Sequence, residues 1–299
     1  MNGIIKNCFL AASVMASIGA IGSTPAFAAS LANIQFFGPS NPGGYRTYTG
    51  TSSGSFIPNN SGVAQTALTG NVAGSNVELW YTDENPTGYV GFTADLGNSK
   101  VKVTNILTAD WSANVGGGKT LAEQWVDDLL AFYANSPITL TASEKTAGIQ
   151  KLQQAGLPRA HDPNIDYFTE NNGVFELGLL GHFNLAQSIL SGYTTGINAL
   201  DTKLLQAAQL SQITNVPIQM SEIAKVEIDG KVKYAYGFQA TPSGITTNNV
   251  DSTDSYTGLY KIQWNADPAT SKSVPEPSAI LGLVAVGGLV AAKRKLKKA

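Results

Sequence analysis

Histidine and carboxylate side chains are concentrated between residues 161 and 182, in a chain that has only two histidines. His161 and Asp162 are adjacent, Asp166 follows four residues later, and His182 closes the region. Imidazole and carboxylate groups bind transition metals, so these residues could form a metal or catalytic site if the two ends meet. The alternative is that the aspartates form turn hydrogen bonds beside Pro163 while His182 packs in the interior.

The spacing Asp162-x-Asn164-x-Asp166 also suits calcium, which prefers oxygen ligands. An EF-hand loop would next require glycine at 167 and glutamate at 173, where this chain has Tyr167 and Gly173. Calcium therefore stays open as a ligand, and the sequence assigns no resident cofactor.

Two glycine-rich stretches resemble catalytic motifs only superficially. Residues 50–54 match G-x-S-x-G, but they lack the preceding strand and following helix of a hydrolase elbow. Residues 116–120 read GGGKT before a predicted helix, but Ala113 stands where a phosphate-binding loop needs its first glycine. A loop leading into an N-capped helix is the favoured interpretation of the second stretch.

Asp127 and Asp128, on that helix, are expected to be solvated charges. The sequence therefore predicts no catalytic residue.

Composition limits the class of function. Charged residues make up 13% of the chain. The typical share in soluble proteins is about 25%. Residues 29–277 carry a net charge of about −8, which argues against nucleic-acid binding. The only cysteine, Cys8, lies in the N-terminal apolar segment, so the remainder has no disulfide framework or thiol nucleophile.

The N-terminus has the three parts of a secretory signal peptide. Lys6 precedes an apolar run over residues 9–21, and Ala26 and Ala28 bracket an A-x-A cleavage site. The apolar run is too short to span a bilayer core of about 30 Å. We expect residues 1–28 to be a signal peptide that signal peptidase removes after Ala28.

The C-terminus carries a second targeting signal. After a short linker, Pro275, Glu276 and Pro277 precede an uncharged apolar segment at 279–292 and a basic tail at 293–298. Such a helix is short for a bilayer, and its basic end would stay cytoplasmic. The two prolines keep the preceding chain extended and accessible to a processing enzyme.

This three-part order resembles the PEP-CTERM sorting signal, which an exosortase, an integral-membrane cysteine transpeptidase, reads in the bacteria that have it. The resemblance implies transport to the cell surface or the extracellular polymeric matrix, with transient membrane attachment through the C-terminal helix. It implies no activity. The segments GLPRAHDPNIDYF and GVFELGLLGHFNL also resemble an uncharacterised cyanobacterial-type group of such proteins.

The residues between the two signals predict a mixed fold. A β-meander is expected over 77–106, and capping boxes at Thr120 and Thr141 begin two helices. A third helix is expected over about 197–213, a hairpin around Asp229-Gly230, and a last strand at 257–264. The predicted class is α+β, a β-rich exported domain at 29–268 with a helical middle region at about 120–213. A split into two domains near residue 110 or 215 is the alternative.

These features predict an exported surface or matrix protein of structural or binding type, not an enzyme. Extracellular polysaccharide is a candidate partner, because alternate strand aromatics must be partly exposed and can stack on sugars. Ordinary cross-strand packing of these rings is the favoured alternative. The alternatives are an extracellular hydrolase acting on polysaccharide, resting on the cluster from Asp162 to His182, and a calcium-assisted adhesin.

Overall fold

The computed structural model describes residues 28–38, 46–48, 56–58, 61–70, 75–80, 86–244 and 257–265. The predicted signal peptide apart from Ala28, the Pro275-Glu276-Pro277 motif, the apolar segment and the basic tail all lie outside these residues. About 30% of the structure is helix and 34% is strand, so the predicted mixture of helix and strand is confirmed.

Most strands join one curled antiparallel sheet, and two form a separate hairpin. In chain order the strands are β1 Ala29–Phe37, β2 Arg46–Tyr48, β3 Phe56–Pro58, β4 Asn76–Glu78, β5 Gly91–Leu96, β6 Ser99–Thr104, β7 Asn114–Gly116, β8 Lys119–Thr120, β9 Asn164–Asn171, β10 Val174–Gly181, β11 Ala224–Ile228, β12 Lys231–Ala235, β13 Thr241–Pro242 and β14 Gly258–Asn265. The helices are α1 Ser61–Ala67, α2 Leu121–Phe132, α3 Ala142–Ala155, α4 Ala186–Leu190 and α5 Asn198–Thr214, with a 3-10 helix at Thr108–Ser112.

The strand order in the large sheet is β12-β11-β6-β5-β1-β9-β10-β14-β13. β9 is the junction of the sheet, because its end pairs with β1 and its beginning pairs with β4. β2 and β3 continue outward from β4. Strands from the early and the middle parts of the chain therefore meet at β9.

Period-two alternation gives β5, β6 and β11 one apolar and one polar face. Their inner face is buried and includes Phe92, Val103 and Val226, each 0% exposed. The opposite face carries polar side chains, among them Thr93 and Lys102, and is called the outer face below. The inner face forms part of the core, and the outer face is left for solvent or a ligand.

Local signals fix the start of each of the two central helices. Thr120 accepts from the Glu123 backbone, and the Glu123 carboxylate accepts from the Thr120 backbone, which confirms the first predicted capping box. Thr141 and Glu144 form the second in the same way. The third helix, α5, also lies within a residue of its predicted ends.

Aromatic side chains form the centre of the helical core. Trp125 of α2 is 0% exposed and meets Trp111 edge-to-face, with 5.8 Å between ring centroids. The Phe238 ring centroid lies 5.7 Å from that of Trp125. Leu121 and Leu129, on the same side of α2, are also buried, as the four-residue spacing predicts.

The helical middle region is not continuous, and this corrects the expectation for 120–213. Residues 164–181 form the β9–β10 hairpin at the centre of the sheet, between α3 and α4. Its turn residues Asn172 and Gly173 have positive φ values of 52° and 78°. Positive φ at both positions is typical of the Asn-Gly hairpin turn. The Asn172-Gly173 dipeptide is therefore the feature of the sequence that could have predicted this hairpin.

The predicted meander over 77–106 is also only partly correct. β5 and β6 form the expected hairpin around Gly97. β4, however, pairs with β2 and β9 instead of β5. The Asp229-Gly230 hairpin is confirmed, with φ of 48° and 81° at its two turn residues. The last predicted strand is confirmed as β14.

Within the part of the chain that the structure describes, no helix combines the length and apolar character needed to cross a bilayer. The described residues up to Trp264 belong to one compact unit, which contains the large sheet and its helices.

Candidate binding site on the outer sheet face

The predicted candidate His161 lies in the helical core, not at a cleft. Its side chain is 2% exposed, and Nε2 accepts a hydrogen bond from Trp111 Nε1 at 3.4 Å. A β-carbon added at Gly156 would lie only 2.8 Å from the imidazole, so the helix end packs directly on it. This setting is that of a satisfied core histidine.

The other predicted candidates have separate surroundings. Asp162 is buried before β9, and Asp166 is half-buried where the β9–β10 register shifts. His182 follows β10, and its backbone carbonyl accepts from Tyr260 Oη at 2.7 Å. No group of three or more His, Cys, Asp or Glu able to hold a metal occurs among the residues described.

Asp166 has a perturbed acidity. Burial raises the pKa of its carboxyl to about 6, against 3.8 ordinarily, and the nearby Lys261 only partly opposes the rise. Because the pKa in the folded state exceeds that in the unfolded state, the contribution of this group to stability is full below about pH 4. It is lost as the pH rises through the folded-state pKa.

Asp166→Asn is therefore expected to stabilise the protein by about 1–2 kcal/mol at pH 8 and to change little at pH 4. Thermal melting of both proteins between these pH values measures the difference. Lys261→Met should have the opposite effect and deepen the loss of stability at pH 8. Parallel melting profiles for the parent and Asp166→Asn would contradict this account of Asp166.

Polar side chains form a continuous row across four strands of the outer face. Gln35 lies opposite Thr93, Thr93 opposite Lys102, and Lys102 opposite Glu227, on β1, β5, β6 and β11. Neighbouring strands are about 4.8 Å apart, so the row extends about 14 Å. Amide, hydroxyl, ammonium and carboxylate groups are thus presented side by side.

A second row lies two residues along β1, β5 and β6. Asn33 Nδ2 donates to Asp95 Oδ2 at 2.7 Å, and Lys100 forms an ion pair with the same carboxylate. Hydrogen bonds from Asn33, and then from Lys100, lower the pKa of Asp95. Asn33 adopts a φ of 54° at the irregularity in β1. Such an irregularity redirects a side chain, and here the amide faces Asp95. The carboxylate is thereby held ionised and oriented.

The two rows line a surface depression of about 510 Å³, called the outer-face groove. Its lining residues are Asn33, Gln35, Thr93, Ala94, Asp95, Lys100, Val101, Lys102, Glu227 and Gly230. Two acids and two lysines among them balance in charge. Lys102 Nζ also lies 5.4 Å from the Phe37 ring centroid. This cation–π contact holds the ammonium against the sheet. The groove is polar, wide and close to neutral.

A hydrogen-bonded cluster around Asp110 lies at one end of the outer face. The carboxylate, 4% exposed, accepts from Lys225 Nζ at 2.8 Å, from Tyr234 Oη at 2.9 Å and from Tyr89 Oη at 3.0 Å. The Leu107 backbone N–H donates to it at 2.8 Å. Four donors converge on one buried acid, and this is called the Asp110 cluster below.

The cluster fixes the charges and rings around it. Burial lowers the pKa of Lys225, but hydrogen bonds to Asp110 and Tyr89 outweigh it, and the pKa is raised. Burial and the Asp110 charge raise the pKa of Tyr234. Lys225 Nζ lies 4.5 Å from the Tyr89 ring centroid, and Tyr89 is 37% exposed. A positioned aromatic ring thus borders the outer face.

The GGGKT stretch is the turn of the β7–β8 hairpin. Its three glycines all have positive φ, and Thr120 caps α2 as expected. Lys119 pairs with Asp127 at 2.9 Å, so the lysine already has a carboxylate partner. The structure also differs from the expectation that Asp127 and Asp128 are solvated. Both are half-buried, and Asp128 accepts from Tyr236 Oη at 2.7 Å.

The sequence singles out no residue of the outer-face groove for chemistry. From the Asp110 cluster, only Tyr89 and Tyr234 belong to the strand aromatics expected to be partly exposed and able to stack on sugars. Alternating polar residues in GFTADL, SKVKVT and AKVEI did indicate a polar sheet face. No local signal indicates that β6 pairs with β11, because the two strands are far apart in the chain. The groove therefore exists only through tertiary pairing.

Searches for similar proteins found no match among family models, curated proteins or solved structures.

Proposed function

We propose that this chain is an exported cell-surface or extracellular-matrix protein that binds neutral polysaccharide through the outer-face groove. The observation that carries the binding role is the row Gln35, Thr93, Lys102 and Glu227, aligned directly across four strands. The targeting signals at residues 1–28 and 275–298 carry the location.

The groove suits a hydroxyl-rich ligand for three reasons. Its amide, carboxylate and ammonium groups can donate and accept hydrogen bonds with sugar hydroxyls. Their charges balance, so the groove has no net attraction that would favour a charged chain over a neutral one. Tyr89, partly exposed and positioned by Lys225, borders the same face and offers a ring for stacking on a sugar.

The bounds of the described strands are compatible with removal of both signals. β1 begins at Ala29, the residue after the expected signal-peptidase cut, and β14 ends at Asn265, before the PEP motif. Cutting after Ala28 and near Pro275 would leave every described strand and helix intact. Processing of the C-terminal signal by an exosortase-type enzyme is part of the proposal.

Binding is favoured over hydrolysis because the candidate catalytic groups have other surroundings. His161 is enclosed by Trp111 and Gly156 in the core. Glu176, a carboxylate of the cluster from Asp162 to His182, is on β10 and accepts hydrogen bonds from Tyr167 and Gln263. A glycoside hydrolase needs two free carboxyl groups on either side of one bond. The groove has two acids, Asp95 and Glu227, and Asp95 is already bonded to Asn33 and Lys100.

Binding is tested by native affinity electrophoresis of the purified protein through gels containing dextran, laminarin or alginate. The neutral glucans are expected to retard the protein, with little change on adding salt, because the groove has balanced charge. Retardation by alginate alone, abolished by salt, would instead identify non-specific binding of a polyanion.

Sorting is tested separately in the native cells. Pro275→Ala combined with Glu276→Gln is expected to block C-terminal processing and to leave the protein in the membrane fraction. Intact mass and fractionation report the two effects. Unchanged mass and unchanged surface location would contradict the sorting proposal and leave the binding proposal standing.

A further inference from the structure

A second depression lies on the helical side of the compact unit, away from the residues that form the outer-face groove. It has a volume of about 580 Å³ and lies between the ends of α2 and α5 and the segment 216–219. Its walls include Phe132, Ile138, Leu210 and Ile218. It is called the helical cleft below, and its size is within the range of small-molecule sites, about 300–1,000 Å³.

One wall of the helical cleft is held in place by buried hydrogen bonds. Tyr133 Oη donates to the Gln219 carbonyl and accepts from the Gln219 N–H, both at 2.7 Å. The Gln219 side chain donates to the carbonyls of Phe183 and Ala240, and accepts from the Ala240 N–H. Because both the backbone and the side chain of Gln219 are bonded, the cleft does not need a ligand in order to form.

The surface of the cleft is apolar where it meets solvent. Phe132 is 48% exposed, Leu210 41% and Val216 36%, and all three line it. Asn135 and Gln239 contribute exposed amides. Exposed apolar surface concentrated around a concave site is typical of a surface that a ligand or partner covers.

The polar groups restrict what the occupant can be. No charged residue occurs among the described residues that line the cleft, so a charged ligand would lose its hydration without gaining a counter-charge. Ser211 lines the wall and is 4% exposed, and its hydroxyl has no hydrogen-bond partner in the described part of the chain. A ligand with one neutral polar group could satisfy that hydroxyl.

We propose that the helical cleft binds a small, neutral, mainly apolar molecule carrying one hydrogen-bonding group. The apolar body packs on Phe132 and Leu210, and the polar group lies toward Ser211 or the exposed amides. This site is independent of the proposed polysaccharide binding. If one of the two binding proposals fails, the other still stands, because no residue lines both sites.

The experiment uses three probes that share a ten-carbon chain and differ in their head group: 1-decanol, decanoate and decylammonium. Isothermal titration of the purified protein at neutral pH and below micelle-forming concentrations measures each affinity. We expect saturable one-to-one binding of 1-decanol, at least about tenfold tighter than that of either ion. Absence of saturable binding, or equal affinity for the ions, would overturn the proposal.

Two leucines on α5 provide a matched pair of variants. Leu210 is 41% exposed and lines the cleft, while Leu205 is 42% exposed on the same helix and does not. Leu210→Trp should block the cleft and weaken 1-decanol binding at least about tenfold, and Leu205→Trp should leave it unchanged. Phe132→Ala, which adds no bulk at an exposed position, should also weaken it. Equal affinity in Leu210→Trp and Leu205→Trp, or an unaffected Phe132→Ala, would place the probe elsewhere.

Discussion

Replacing Asp110 with alanine is expected to destabilise the folded protein by about 2–3 kcal/mol, because it removes one buried acceptor from a half-buried cation and three further donors. Lys225 Nζ, with 23% of its side chain exposed, would lose its only carboxylate contact among the described ion pairs. Tyr89, Tyr234 and the Leu107 N–H would lose an acceptor at the same time. Urea unfolding followed by circular dichroism gives the change in free energy.

The double variant separates the two contributions to this loss. Asp110→Ala combined with Lys225→Met removes the unpaired charge, so its loss should be smaller than the sum of the two single losses. Lys100→Ala, which removes an exposed ion pair with Asp95, is the control. It should cost at most about 1 kcal/mol. A loss below about 1 kcal/mol for Asp110→Ala would contradict the structural role of the Asp110 cluster.

Trp125→Ala is expected to lower the free energy of unfolding by about 3–5 kcal/mol, because it leaves a large cavity in the helical core. The indole is fully buried, and its edge-to-face contacts with Trp111 and Phe238 join α2 to the segment that follows β12. Thermal and urea unfolding measure the loss. Comparable stability to the parent would show that this aromatic cluster is not the centre of the helical core.

Trp125→Phe provides a milder companion to the alanine variant. The Trp125 Nε1 is buried and has no acceptor in the described structure. Phenylalanine keeps most of the ring contact and removes that donor, so we expect a loss below about 2 kcal/mol. Phe132→Ala is the control for loss of an aromatic ring, at a site that is 48% exposed. It should cost less than Trp125→Ala, because less apolar surface is removed from the interior.

The parts of the fold that sequence predicted are those determined by near neighbours. A capping box needs only Thr120 and Glu123, three residues apart, and both act as the pattern indicates. The hairpin at Asp229-Gly230 needs only two residues of positive φ. Such elements form from local geometry, whatever the rest of the chain does.

The parts that sequence missed depend on distant pairing. β9 pairs with both β1 and β4, and nothing local in DPNIDYFTE indicates either partner. This stretch and His161 before it suggested a metal site from sequence, because imidazole and carboxylate groups lie close together in the chain there. In the structure His161 is buried by the helical core. Residues that are close in sequence form a site only when the tertiary fold directs their side chains to one point.

The outer-face groove shows the same limit for a site. The alternation in β5 and β6 predicts which residues share a face with Thr93 and Lys102. It does not predict that Gln35 and Glu227 complete the row, because those residues come from strands that are distant in the chain. The residues that carry the proposed function are individually ordinary, and only their alignment is distinctive.

The proposed polysaccharide site is tested most directly by comparing two triple variants in dextran and laminarin affinity electrophoresis. One replaces Gln35, Thr93 and Glu227 of the groove with alanine. The other replaces Gln206, Gln209 and Gln212, which are exposed on α5, in the same way. We predict that the groove variant loses affinity for the neutral glucan at least about tenfold while the α5 variant binds as the parent does. Equal retardation of the two variants would contradict the assignment of polysaccharide binding to the outer face.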